Sequence, residues 1–142
     1  MISPSLVIAD VISRLEDSRA ALKITGVEEI NEDFTSNLRP PYVTVHADFE
    51  NEAEQLSSAS QLIEIPVEIK LVIFTAGHRN QSDAFNQAFQ IAAGALNTAC
   101  GIYEISGETI RVMPRPKPFE IWAKKKDSSV IMVSLFYLNR IL

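Results

Sequence analysis

The chain has 142 residues, 46% of them hydrophobic and 22% charged, with a net charge of −5, a pI near 5.0 and one cysteine. Those values describe one globular domain over 1–142 and exclude a chain that is disordered throughout. The acidic balance argues against nucleic acid as the main partner, and the lone Cys100 excludes an intramolecular disulfide or a cysteine metal cluster, which fits a reducing compartment.

The start, MISPSLVIADVISRLED, lacks the charged opening and unbroken apolar run of a signal peptide. No run reaches membrane-spanning length, so a soluble protein with no membrane partner is expected. Ser3-Pro4 reads as an N-cap followed by proline at the first helical position. Ile8, Val11, Ile12, Leu15, Arg19 and Leu22 follow helical spacing, with only Arg19 polar, which predicts a helix over 4–23, closed near Gly26. Residues 28–37, EEINEDFTSN, read as a loop. After the stiff Arg39-Pro40-Pro41, the segment YVTVHADF alternates as a half-buried strand, with Val43, Val45, Ala47 and Phe49 on one side.

Residues 50–61, ENEAEQLSSASQ, are acidic and then small and polar, which predicts a hairpin arm. The following IEIPVEIKLVIF places Ile63, Ile65, Val67, Ile69, Leu71 and Ile73 on alternate positions. A long strand over 61–76 is expected, with Glu64, Pro66, Glu68 and Lys70 on its wet side. Pro66 places its early end at a sheet edge or bulge. Ser82 is the expected N-cap of a second amphipathic helix, with Phe85, Ala88, Phe89, Ala92, Leu96 and Ala99 on its buried stripe and its end at Gly101. Residues 108–113 alternate weakly, and MPRPKPF with its three prolines excludes a central strand. Residues 119–123 resume a strand, KKKDSS turns, and VIMVSLFYLNRIL is a largely apolar final strand. The fold class is α+β: a mainly antiparallel mixed sheet with two amphipathic helices on one face, plus a protruding strand arm.

Chemistry-bearing constellations are sparse. His46 and His78 lack the further ligands a zinc site needs. Cys100 with His78 is the one conceivable thiol–imidazole pair, but Cys100 sits at a helix C-terminus, where the dipole opposes a thiolate. Glu64 and Glu68, four residues apart on a strand, lie about 13 Å from each other, too far for a glycosidase pair. The alternating acids Asp48, Glu50, Glu52 and Glu54 lack the glycine and spacing of a calcium loop. No phosphate-binding or nucleophile-elbow motif occurs. Neither an enzyme nor a metal or cofactor is expected.

Charge, by contrast, is segregated. Residues 28–54 hold eight acids (Glu28, Glu29, Glu32, Asp33, Asp48, Glu50, Glu52, Glu54) against Arg39. Residues 111–126 hold six bases (Arg111, Arg115, Lys117, Lys124, Lys125, Lys126) against Glu120. The split suits internal pairing, two solvated faces, or a head-to-tail contact between copies. The six bases can also touch phosphates, although few aromatics are interleaved to stack bases. Trp122, between a proline-rich and a lysine-rich stretch, suits either a core or an interface anchor.

The layout as a whole carries a resemblance: a helix (PSLVIADVISRLE), a proline-introduced strand (PPYVTVHADFE), an acidic arm, a long strand ending in a polar turn (IEIPVEIKLVIFTAGHRN), an alanine-rich helix (SDAFNQAFQIAAGAL) and a C-terminal strand region. In pattern and order it resembles the small minor tail proteins of Mu-like tailed phages and, more distantly, lambda-type tail terminators. That resemblance implies a homo-oligomeric ring, typically a hexamer, on the end of the tail tube. Such a ring stops tube polymerisation and prepares head joining, in the bacterial host's cytoplasm and then in the virion tail. Its partners are further copies of itself, the tail tube protein and a head-completion protein, with nucleic acid at most passing through. It implies no catalysis and no cofactor. Charge and arm geometry nominate Glu50, Glu52, Glu54, Arg115, Lys117, Trp122, Lys124, Lys125 and Lys126 for the subunit interface. The competing reading is a peptide- or ligand-binding module with an apolar groove lined by Val72, Phe74 and Trp122 on the sheet face opposite the helices.

Overall fold

A computed structural model describes residues 2–29, 36–49 and 64–140. Helix α1 spans Pro4–Asp17, with proline's fixed φ at its first turn and no capping bond from the Ser3 side chain, whose Oγ instead meets Ser5 Oγ at 2.9 Å. Val7, Ile8, Val11 and Leu15 form its buried stripe. The helix expected over 4–23 breaks at Ser18, and a short α2, Arg19–Leu22, follows. It closes at Lys23, whose left-handed φ of 60° lets Ile24 N–H reach back to the Arg19 carbonyl, so the stop precedes Gly26.

The next element departs from expectation. Val27–Glu29 form strand β1, not loop, and pair in parallel with β2, Tyr42–Phe49. Contacts distant in sequence create this strand. Val27 N–H donates to Glu16 Oε1 at 2.7 Å, Thr25 N–H to the Pro41 carbonyl at 2.8 Å, and Val43 N–H to the Gly26 carbonyl at 3.2 Å. Three residues are too few for alternation to register in sequence.

Strand β3, Glu64–Thr75, runs antiparallel between β2 and β6, Ser129–Arg140. It is therefore an inner strand, and Pro66 is buried and faces Leu138. The described β2 pairing reaches Val67, one position from Pro66, and Pro66 itself is in register with Leu138 of β6. The wet side expected for this strand is drier than its composition suggests: Glu68 is buried and Lys70 half-buried.

Helix α3, Gln81–Ala99, is capped two residues earlier than expected. Asp83 N–H donates to Asn80 Oδ1 at 2.9 Å, so Asn80 and not Ser82 is the cap. Its buried face is Ala84, Ala88, Ile91, Ala92, Ala95 and Ala99, rotated from the expected stripe so that Phe89 is exposed. The small residues allow close approach to neighbours: a Cβ built on Gly94 would come within 2.7 Å of Leu22 Cδ2.

Gly101–Ile105 then form β4, which the sequence reading lacked. It pairs antiparallel with the start of β5, Glu108–Lys124, across Ser106-Gly107, whose φ values of 52° and 78° match the hairpin turn with two positive-φ residues. The two strands expected over 108–113 and 119–123 are one irregular strand. Pro114 faces Leu135 and Phe119 faces Val133, so the proline stretch is looped out of register against β6 rather than ending the strand.

The sheet order is β1-β2-β3-β6-β5-β4, antiparallel except for β1 with β2. An α+β fold with two main helices over a mixed sheet is thus the architecture. Val43, Val45, Val67, Ile69, Leu71, Ile73, Ile131, Val133 and Leu135 point toward the helices and make the core with α1 and α3. Buried Asn139 anchors the beginning of the chain, accepting from Ile2 N–H at 3.2 Å and donating to the Ile2 carbonyl at 2.9 Å, the pattern a neighbouring strand would offer. The arm over 50–61 lies outside the described residues, as does the expected early start of β3. Among the described residues, no helix is long and apolar enough to cross a membrane.

Candidate functional site

The nominated residues that the structure describes, Arg115, Lys117, Trp122, Lys124, Lys125 and Lys126, lie between the middle of β5 and the turn that follows. Arg115 and Lys117 lie in the looped-out proline stretch between Pro114 and Phe119. Three prolines at alternate positions withhold three donors and hold the backbone extended, which explains both the loss of register and the solvent exposure of Lys117. Arg115 is half-buried. Its guanidinium lies over the Phe136 ring, 4.6 Å from the centroid, so it also serves packing within the subunit.

Beyond the prolines the strand resumes. Phe119 faces Val133 and Ile121 faces Ile131 across β6, which points both toward the helix-bearing side. Trp122 occupies a bulge: Ile121 pairs with Ile131 and Ala123 with the adjacent Val130, leaving Trp122 without a partner in the ladder. This part of the sheet extends past the cover of α3, so Phe119 is 36%, Ile121 53%, Trp122 51% and Phe89 of α3 44% exposed. The Phe89 and Phe119 rings are 5.3 Å apart, and Phe89 stacks on Phe85 at 6.2 Å. The outcome is an apolar patch where α3 meets β5.

A basic rim borders it. Lys124 sends Nζ over the Phe85 ring at 4.6 Å, and its carbonyl accepts from Gln81 Nε2 at 3.1 Å. Lys125 N–H closes the turn on the Ser128 carbonyl at 2.9 Å, and the Asp127 carbonyl accepts from His78 N–H at 3.2 Å. These bonds hold the β5–β6 turn beside the start of α3 while Lys124, Lys125 and Lys126 stay exposed. Glu50, Glu52 and Glu54 lie outside the described residues. The acids that are described in β1, Glu28 and exposed Glu29, sit at the other end of the same sheet. Four strand spacings separate β1 from β5, about 19 Å along the sheet, so these acids do not pair directly with the β5 lysines through the sheet of one subunit.

Other candidate chemistry disperses. Cys100 follows the last residue of α3, whereas the His78 ring lies beside Gln87 near its start, so thirteen residues of helix rise, about 20 Å, separate thiol from imidazole. His78 Nε2 instead pairs with Gln87 Oε1. Burial pushes the Cys100 thiol up from its ordinary pKa, which disfavours the thiolate. Cys100 lines an open groove of about 500 Å³ with Arg111, Met113, Pro114 and Phe136. Among the described residues, no three His, Cys, Asp or Glu side chains converge as a metal-binding set. Of the residues expected to line a groove on the opposite sheet face, Val72 is 1% exposed, while Phe74 is half-buried and lies in the row of Val130 and Ala123, two strand spacings, about 10 Å, from the neighbourhood of Trp122.

The exposed patch went partly unread in the sequence. Trp122 was singled out, but helical spacing put Phe89 among buried residues, because period alone does not fix which stripe of an alanine-rich helix faces the sheet. No protein-family model matches the chain, and no curated protein matches it.

Proposed function

We propose that this protein is a phage or prophage tail assembly protein that joins head to tail with copies of itself into a ring. The ring, of six subunits, sits on the end of the tail tube, ends tube polymerisation and prepares head joining, first in the host cytoplasm and then in the virion tail. The observation that supports this reading is the separation of opposite charge across one sheet: Glu28 and Glu29 in the end strand β1, and Lys117 and Lys124 four strands away in β5, with Lys125 and Lys126 in the turn beyond. A contact between unlike ends is heterologous, and a heterologous contact that closes makes a ring. The exposed pair Phe89 and Phe119, with Ile121 and Trp122 also exposed farther along β5, offers the apolar side chains that a stable contact needs inside a charged rim. The tail role itself comes from the resemblance of the chain's layout to minor tail and tail terminator proteins.

Solution mass by light scattering over concentration and salt series, followed by negative-stain imaging, tests the reading. A closed ring that loosens with salt is the expected result. A monomer under every condition, including in the presence of tail tubes, is the opposing one.

A further inference from the structure

Resting on the assembly reading, we infer that the cleft between the start of β5 and the end of β6 receives the β5–β6 turn of a second copy, with its Lys124, Lys125 and Lys126. β5 runs beside β6 only from Met113, opposite Phe136, to Lys124, opposite Ser129. Its first residues, Glu108–Val112, pair with β4 instead. Beyond Phe136 the two strands therefore part. A cleft of about 330 Å³ opens there, with Glu108 and Ile110 on the β5 side, Leu138, Asn139 and Arg140 on the β6 side, and Glu64 of β3 also lining it. Leu138 is 43% exposed, and Glu108 is exposed as well. Arg140 meets Glu64 at 3.9 Å with both side chains largely open to solvent, a weak pair that leaves the carboxylate able to take a second cation. The cleft thus combines an apolar wall with acids, Glu64 and Glu108, that outnumber its one base, Arg140. That combination suits lysine, whose methylene stem lies along leucine while the ammonium reaches a carboxylate.

Charge and distance select the occupant. Lys124, Lys125 and Lys126 are consecutive and all exposed, which makes the turn the complement of an acidic cleft. Within one subunit the two do not meet. Ser129, opposite Lys124, and Arg140, at the cleft, are the two ends of β6, and the strand rise between them is about 36 Å, far beyond the length of a lysine side chain. The complementarity therefore acts only between copies, with the basic end of one β6 set against the acidic end of the next. Such a contact joins unlike surfaces, so every copy keeps one of each for a further neighbour. β1 is the rival acidic partner for the turn. It offers exposed Glu29 alone, because Glu28 is half-buried with its Oε1 out of solvent.

Charge exchange on the full chain, read by light scattering and negative-stain imaging, tests the contact. Glu108→Lys and Lys125→Glu are each expected to weaken assembly by about 3- to 10-fold in Kd, as attraction at an exposed pair becomes repulsion. Both changes in one chain are expected to recover most of the loss, because each altered turn then meets an altered cleft. Circular dichroism and melting temperature are expected to stay near those of the parent protein. Glu108→Gln, which removes the charge with little change of shape, provides a second variant with a smaller expected loss. Single changes that leave assembly unaltered overturn the cleft and leave the ring reading intact. Single losses without recovery in the double exchange overturn it too, since the two groups then do not meet. Loss on Glu29→Lys but not on Glu108→Lys transfers the contact to β1. Recovery seen in open chains rather than closed rings supports the cleft and sinks the ring reading. Absence of assembly by the parent protein at every concentration and salt, with tail tubes present, overturns both.

Discussion

Tyr137 offers a prediction with a definite sign. It lies in β6 across from Val67, is fully buried, and its hydroxyl has no hydrogen-bond partner among the described residues. A buried hydroxyl stripped of water and left unpaired costs about 1–3 kcal/mol, whereas removing the oxygen forfeits only a few packing contacts worth about 0.1–0.2 kcal/mol each. Tyr137→Phe is therefore expected to stabilise the protein by about 1 kcal/mol and to raise Tm by about 3–5 °C for a chain of this size. Urea unfolding followed by circular dichroism should show a higher midpoint with an unchanged slope, the mark of a stability change without a change in exposed surface. The pH dependence adds a second test. Burial pushes the Tyr137 phenol up to about 12 from 10.0, so the folded protein binds its proton more tightly than the unfolded chain does. The stability linked to that proton is complete below pH 10 and is lost between pH 10 and about 12. Phenylalanine has no such loss, so the variant's advantage should grow across that window. A fall in stability on removing the hydroxyl, at neutral pH, would refute the reasoning and show that the oxygen has a partner.

Asn139→Ala removes both bonds to Ile2 and should lower stability by about 2–3 kcal/mol, with faster amide exchange at the start of α1 as the local signature. Asn80→Ala uncaps α3 and should cost about 1 kcal/mol in urea unfolding, while Ser82→Ala, which changes no cap, should be nearly neutral. Simultaneous reversal of Lys124, Lys125 and Lys126 to Glu should leave melting within a few degrees of the parent, because all three are exposed and only Lys124 touches a ring. It should weaken assembly by roughly 10- to 100-fold in Kd, taking about 0.2–1 kcal/mol for each exposed pair and turning attraction into repulsion, with the effect shrinking as salt is added. Assembly that survives the triple change unaltered defeats the charge argument. Trp122→Ala should be close to neutral for the fold, since half of the ring is already in solvent, but should slow or abolish assembly seen by light scattering.

The sequence by itself determined the elements whose residues repeat over many positions. Alternation of Val43 with Val45, and of Val67, Ile69, Leu71 and Ile73, determined two core strands; the spacing of Ile8, Val11 and Leu15 determined α1. Those patterns are long enough that only one period fits, and burying one face is the largest favourable term in folding. Tertiary structure decided the rest. β1 exists because Glu16, Pro41 and Val43 supply partners to a three-residue segment, and no pattern of three residues shows that. β4 carried a local signal, Ser106-Gly107 between alternating residues, that only the pairing with β5 makes decisive. Glu68 reads as solvated and is buried, because alternation separates two faces without saying that either stays open to water. The candidate surface divides in the same way. Its lysines and Trp122 are legible as composition, but Phe89 of α3 meets Phe119 of β5 only through the packing of the helix on the sheet, and the register shifts of β5 appear only in its pairing with β6. Residues far apart in the chain meet through packing, and packing geometry depends on every element at once, so periodicity within one segment cannot specify it.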